Sequence, residues 1–422
     1  MKSIAMLCVL AASLASTMFA AEGPVPKGVP DLDHVFIIMM ENHGYTQIVG
    51  NPSAPFANQY MNSANAATNY FAIGHPSSTN YLEVVGGSNF GIRSDNSPDW
   101  HNANCSPNLN PPVTNTDFPS SPAVCPIFGT GTDAETPAID LTNECPNAPQ
   151  VDPCPPGLID IDGTRSIPAA PHTVGKTIAD QLAERNKSWK SYQESLPPTG
   201  ADGVNFSDGF FTNNSNIPGA IAGEAQTLID LYAAKHNPFV YFRSIQEGEN
   251  PGATLKNVVG FEGRGGLFED LESGRVPAFS SIVPNQCNDQ HGRSNAGPQC
   301  DFDPDDNGTQ NGLNPALIYL GDLALRNIVH AIHNSPAWKR GRSAIVVIWD
   351  ENDYSFVPNI NQVLAIVDTN YGRRGRTSNK FYTHFSLLKT VEGALDLPCL
   401  NHACDEHVKV MSDLFRDGDD DR

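Results

Sequence analysis

Apolar and polar positions alternate with no single period along the chain, and the clearest signals are short unbroken apolar runs. Residues 34–40 (HVFIIMM), 238–245, 344–349 (AIVVIW) and 363–367 are such runs, rich in β-branched side chains. Runs of this length and kind predict strands buried on both faces. Helical spacing predicts helices between them. Ile178 and Leu182 are four apart within 176–185, and Leu325, Ile328, Val329 and Ile332 line one face of 315–333. Pro315 suits a first helical turn. Continuous strands alternating with helices predict an α/β fold, a mostly parallel central sheet with helices on both faces. Ligands of such sheets bind beyond the carboxyl ends of the strands.

Residues 96–170 break this pattern. They are rich in Pro, Asn, Asp, Thr and Cys, which predicts a loop-rich, disulfide-pinned excursion that either caps a site or decorates the surface. Of nine cysteines, Cys8 falls in the apolar N-terminal stretch, and the other eight form four local couples. The expected pairs are 105–125, 145–154, 287–300 and 399–404; the rival, a zinc cluster, lacks any CxxC spacing. Residues 1–21 read as a signal peptide, with Lys2 before the apolar stretch and small residues at Ala20 and Ala21. The expectation is an exported protein, secreted or periplasmic, without a transmembrane segment. Its main domain would span 22–412, followed by an acidic tail at 413–422. A net charge of −21 argues against nucleic acid as a partner, because phosphate backbones need clustered Lys and Arg.

Two of the apolar runs end in acidic or amide groups. The first meets Glu41 and Asn42, and the third meets Asp350 and Glu351. Oxygen ligands at strand ends suit a hard or borderline cation; the plainer alternative is two hydrophilic loop starts. Ser77, in HPSSTNYLEVVGG, stands near a predicted helix start, where exposed N–H groups favour a phosphoryl group. Taken alone it reads as a helix cap.

These segments resemble a bacterial and fungal phosphoesterase family of secreted acid phosphatases and phospholipases C, within the alkaline-phosphatase-like superfamily. VFIIMMENHGY resembles its first motif and HPSSTNYLEVVGG its nucleophile motif. SWKSYQESLP, KHNPFVYF, SIVPNQCNDQH, GDLALRNIVHAIHNSPAW with VVIWDEND, and THFSLLKTVEGALDLP resemble later blocks in the same order. The resemblance implies an alkaline-phosphatase-like fold with Ser77 as nucleophile and Asn80 as a hydrogen-bond donor to phosphoryl oxygens. It implies a divalent metal ion at Glu41, Asn42, Asp350 and Glu351. His236 and His291 are candidate proton carriers, and Asp289, His75 and His384 are possible further site residues. Thr79 stands where the family usually has proline, Tyr45-Thr46 where phospholipase-like members have Phe-Asp, and the histidine that many members carry soon after the Asp-Glu doublet is missing, Asn352, Asp353 and Tyr354 filling that region. The last departure favours one metal ion, with Asp289 and His291 the candidates for holding a second.

Three functions are therefore in play. The first is a metal-dependent phosphomonoesterase of acid phosphatase type working through a phosphoserine. The others are a phospholipase C-type phosphodiesterase and a non-catalytic binding protein of the same fold. The substrate would be a small phosphate ester or a phospholipid headgroup.

Overall fold

The computed structural model describes residues 22–90, 173–197, 231–293, 296–305, 307–352 and 361–416, with positions 92, 95, 98, 124, 126–128, 200 and 201 between them. The signal-peptide reading, nearly all of the 96–170 excursion, two of the expected disulfides and the last six residues lie outside the described residues. The other two expected disulfides, Cys287–Cys300 and Cys399–Cys404, are present.

The strands are β1 His34–Met40, β2 Asn65–Phe71, β3 Trp189–Gln193, β4 Val258–Val259, β5 Phe279–Val283, β6 Ser343–Trp349, β7 Gln362–Thr369, β8 Thr377–Ser378 and β9 Tyr382–Thr383. The helices are α1 Tyr45–Ile48, α2 Pro55–Ser63, α3 Ser77–Gly86, α4 Ile178–Glu184, α5 Arg243–Gln246, α6 Leu267–Ser273, α7 Pro315–Asn334, α8 Pro336–Lys339, α9 His384–Ala394 and α10 Ser412–Phe415. Among the described residues the strands form one sheet in the order β4-β3-β5-β1-β6-β7-β2-β8, with β9 also on β2.

The expected mostly parallel α/β sheet is present. Only β7 runs against its neighbours, pairing antiparallel with both β6 and β2. Every residue of β6, and every residue of β1 except His34, is buried. Strands buried throughout need cover on both faces, and two helix groups supply it: α2, α6, α7 and α8 pack together, as do α3, α4 and α9. No helix among the described residues is long and apolar enough to cross a membrane.

One expected strand is absent. Residues 238–245 form a 3-10 turn, Pro238–Tyr241, followed by α5. The side chains of Phe239, Val240, Tyr241 and Phe242 are all buried, so the run is core material. Pro238, however, lacks the N–H that a sheet ladder needs and fixes a φ compatible with a turn. Conversely β5 (FSSIV) carries no long apolar run, because two buried serines interrupt it. At the far end, residues 412–415 fold as α10, with Leu414 and Phe415 buried.

The register positions the site. Met40 pairs with Trp349 in the parallel β1–β6 ladder, so Glu41 and Asp350 leave the sheet side by side. β5 is parallel to β1, and the loop after it returns to that edge, where Glu41 N–H donates to Asp289 O at 2.8 Å. β2 runs antiparallel to β7, which opposes β6, so β2 also ends at this edge and feeds α3. The N-terminus of α2 on the flanking layer has no capping side chain of its own at Ala54. Buried Asp322 of α7 supplies one, accepting from Phe56 N–H at 2.9 Å and Ala57 N–H at 2.8 Å. Asp322→Ala is expected to cost about 1–2 kcal/mol. A lowered urea midpoint at unchanged slope would show it.

Candidate active site

Ser77 is the first residue of α3, and every residue of that helix is buried. The cap position belongs to Pro76, so Ser77 does not serve as the cap. Its hydroxyl points into the acid cluster, 3.1 Å from Glu41 Oε2 and 3.3 Å from Glu351 Oε1. A hydroxyl has one proton, so it donates to one carboxylate at a time. The neighbouring hydroxyl of Thr79 is engaged elsewhere, donating to Pro76 O at 2.7 Å. At its other end α3 stops at Gly87, whose φ of +70° is left-handed and whose added Cβ would lie 2.5 Å from Leu400 O. Only glycine fits both demands.

Asn80 lies one turn further along α3. Its Oδ1 accepts the N–H groups of Ile73 (3.1 Å) and Gly74 (3.0 Å). Its Nδ2 donates to Gly74 O (2.8 Å) and Glu351 Oε2 (3.0 Å). Both amide hydrogens are thus engaged in bracing the loop before Ser77 and in aiming Glu351. His75 supports the same carboxylate, with Nδ1 3.0 Å from Glu351 Oε2 and Nε2 3.1 Å from Asn352 Oδ1.

The strand-end acids converge because the chain leaves β6 after Trp349, freeing Asp350 and Glu351 from strict alternation. Asn42 meets Asp350 through its backbone, N–H to Oδ1 at 3.0 Å. Asp350 Oδ2 is buried without a hydrogen-bond partner. His384, at the start of α9, approaches the main chain here, with Nε2 2.7 Å from Asp350 O and Nδ1 2.9 Å from the Tyr70 hydroxyl. It therefore supports the acid loop from behind.

Glu41 joins this group to a histidine group. Its Oε1 accepts the Tyr81 hydroxyl at 2.6 Å and lies 3.1 Å from His236 Nε2. His236 Nδ1 is 3.3 Å from Asp289 Oδ2, and the ring stacks on Tyr81 at 5.1 Å between centroids. His291 packs edge-on against His236, and its backbone N–H donates to Asp289 Oδ1 at 2.7 Å. Glu41, His236 and His291 each offer a ligand atom, all within 4.8 Å of one another.

Electrostatics mark this as an unusual place. Burial pushes the Glu41 carboxyl up to about 8; Lys235 opposes the rise and Glu351 adds to it. Burial raises Asp350 far above the carboxylate range, with Glu41 and Glu351 reinforcing the shift. Glu351 moves up too, again through burial, restrained by His75. Burial, then Lys235, depresses His236 strongly and brings His291 down to about 3. Burial also takes His384 down to about 4. Acids that penalise one another's charge in a dry site call for a cation. Together with the orphaned Asp350 Oδ2, the carboxylate and imidazole donors fit a divalent ion.

A model of the Phosphoesterase family matches residues 51–300. The chain belongs to that family. Ser77, Asn80, His236, Asp289 and His291 lie within the matched segment; Glu41, Asn42, Asp350, Glu351 and His384 lie outside it. Among curated relatives, an acid phosphatase of Aspergillus fumigatus is 26% identical over 57% of this chain and 43% of its own length. A probable acid phosphatase of Kluyveromyces lactis is 22% identical over 88% and 61%. The chain thus spans about two fifths to three fifths of those two proteins. A phosphatidylinositol-3-phosphatase of Mycobacterium tuberculosis is 23% identical over 99% of this chain and 95% of its own. Among solved structures, a protein in the alkaline phosphatase superfamily from Vibrio parahaemolyticus is 13% identical, covering 89% of this chain and 69% of that one at a TM-score of 0.43.

Sequence reasoning found most of the polar constellation but missed three members. Tyr81 sits inside the quoted nucleophile motif, where its proximity to Ser77 was the available signal. Lys235 directly precedes His236. Asp95 lies in a stretch without pattern.

The pKa directions give a testable pH dependence. The raised carboxylates hold their protons more tightly folded than unfolded, so that contribution to stability is whole below about 4.5 and lost as pH climbs to about 8. The depressed histidines act on the other side, costing stability as pH falls below 6.5. In chelator, the melting temperature should fall between pH 6.5 and 8, and excess Mg²⁺ or Mn²⁺ should reverse the fall. A melting temperature that rises with pH across that window in chelator would contradict this.

Proposed function

We propose that this protein hydrolyses phosphate monoesters with the help of a divalent metal ion, through a phosphoserine at Ser77. The observation that carries the reading is the Ser77 hydroxyl at the first turn of a buried helix, within hydrogen-bond reach of two buried carboxylates. Family membership supports ester hydrolysis, and the phosphatase names of the relatives support monoesters over diesters.

A serine hydroxyl is a weak nucleophile unless its proton has somewhere to go. Glu41 or Glu351 accepts that proton as Ser77 Oγ bonds to phosphorus. The bond to the ester oxygen breaks on the opposite side, and the leaving alkoxide takes a proton from solvent water. The helix dipole at the start of α3 favours the phosphoryl charge. Water then attacks the phosphoserine, phosphate leaves, and the serine oxygen takes back the proton held by the Glu41 or Glu351 carboxyl. His236, kept neutral by burial beside Glu41, accepts a proton from that water. Glu41, Asp350 and the neighbouring Glu351 would hold the metal ion, which would supply Lewis-acid stabilisation of the phosphoryl oxygens. Asn80, His75 and His384 act by holding Glu351 and the Asp350 main chain in place.

The test is turnover of p-nitrophenyl phosphate and of p-nitrophenyl phosphorylcholine, with and without chelator, by the wild type and Ser77→Ala. The expected result is chelator-sensitive monoester hydrolysis that Ser77→Ala lowers by roughly a thousandfold or more at unchanged circular dichroism. Hydrolysis of the diester alone would establish a phosphodiesterase instead. Loss in Ser78→Ala with retention in Ser77→Ala would move the nucleophile by one residue.

A further inference from the structure

Lys235 and Asp95 form an ion pair wholly withdrawn from solvent, Nζ to Oδ2 at 2.9 Å with both side chains 0% exposed. Such a pair is poor value as a stabilising device, because desolvating two charges offsets most of their attraction. Its surroundings suggest a different role. Asp95 Oδ1 accepts the N–H of Ser78 at 3.1 Å, the amide directly after Ser77 in the first turn of α3. Lys235 Nζ has another contact, His291 Nε2 at 3.2 Å. An ammonium group only donates, so His291 Nε2 is the acceptor. The imidazole hydrogen then sits on Nδ1, which lies 3.0 Å from Gly292 O and donates to it. The same lysine is the chain neighbour of His236.

We propose that Lys235 is a positioning residue of the active site. It ties the nucleophile's turn, through Asp95, to His291, and locks His291 in the tautomer protonated at Nδ1. This rests on the hydrolytic reading of the site. Without the lock, His291 can rotate or change tautomer beside His236 and Asp289, and the edge-on contact that holds the His236 ring beside Glu41 loses its fixed orientation. Helix α3 and the loop carrying His291 are far apart in sequence, and Lys235 with Asp95 is the polar bridge between them on this side of the site.

The test uses the full-length protein and the double variant Lys235→Met/Asp95→Asn. It removes both charges of the pair together and keeps an oxygen for the Ser78 amide. Two quantities are read. One is the pair of ¹⁵N shifts of the His291 ring, assigned with His291→Gln. The other is kcat against KM on p-nitrophenyl phosphate. The expected wild-type spectrum has a protonated Nδ1 and a bare Nε2. In the variant those shifts should move toward a tautomer mixture, and kcat should drop about 10- to 100-fold with KM changed less. A variant with wild-type His291 shifts and wild-type kcat would overturn the proposal. The nitrogen shifts do not depend on turnover. If the wild type hydrolyses neither ester, the hydrolytic reading fails, while the shifts still decide whether Lys235 sets the tautomer.

Discussion

Four carboxyl groups, Glu41, Asp289, Asp350 and Glu351, sit together at one edge of the sheet, and each is 5% exposed or less. Ionised carboxylates in a dry cluster repel one another and lose their hydration, which is why burial drives the pKa values of Glu41, Asp350 and Glu351 upward. Nothing about the hydrophobic core requires them there. A fold under no other demand would place apolar side chains or water at these positions. The proposed cation would account for their presence, and so would the proposed removal of the Ser77 proton. Much of the local architecture serves to hold these acids in place: Asn80 and His75 on Glu351, Tyr81 and His236 on Glu41, and His384 on the Asp350 carbonyl.

The sheet makes the cluster possible. Parallel β1, β5 and β6 bring three acid-bearing chain segments to the same edge, and β2 brings Ser77 to it from the other side of β7. Because β1 and β6 are buried along their length, their register is fixed. A slip of one residue would exchange the faces of every side chain and part Glu41 from Asp350. The buried helix α3 then sets the serine against the acids, and the left-handed Gly87 ends that helix where Leu400 crosses it.

The parts read correctly in the sequence were those whose signals are local. β1 and β6 are unbroken apolar runs, and the acids follow each within one residue. α7 shows its face as Leu325, Ile328, Val329 and Ile332. The 287–300 and 399–404 disulfides join cysteines near in sequence. Misreadings came where burial and local chemistry diverge. Residues 238–245 are apolar because they are core, yet Pro238 turns them out of the sheet. β5 is hidden by Ser280 and Ser281. In the site, resemblance supplied Ser77, the acids and the histidines, while Lys235 and Asp95 escaped because their meaning lies in a contact across 140 residues. Asn80 was expected as a donor to substrate, but its amide hydrogens brace Glu351 and the Gly74 loop.

The central claim is that the strand-end acids are built to hold a cation beside Ser77. Anomalous diffraction from a crystal grown with Mn²⁺ addresses it most directly. The account predicts an anomalous peak bounded by the carboxylates of Glu41 and Asp350 and close to Ser77 Oγ, absent from crystals of Asp350→Asn. An ordered acid cluster at saturating Mn²⁺ with no peak there, or a peak that persists unchanged in Asp350→Asn, would contradict it.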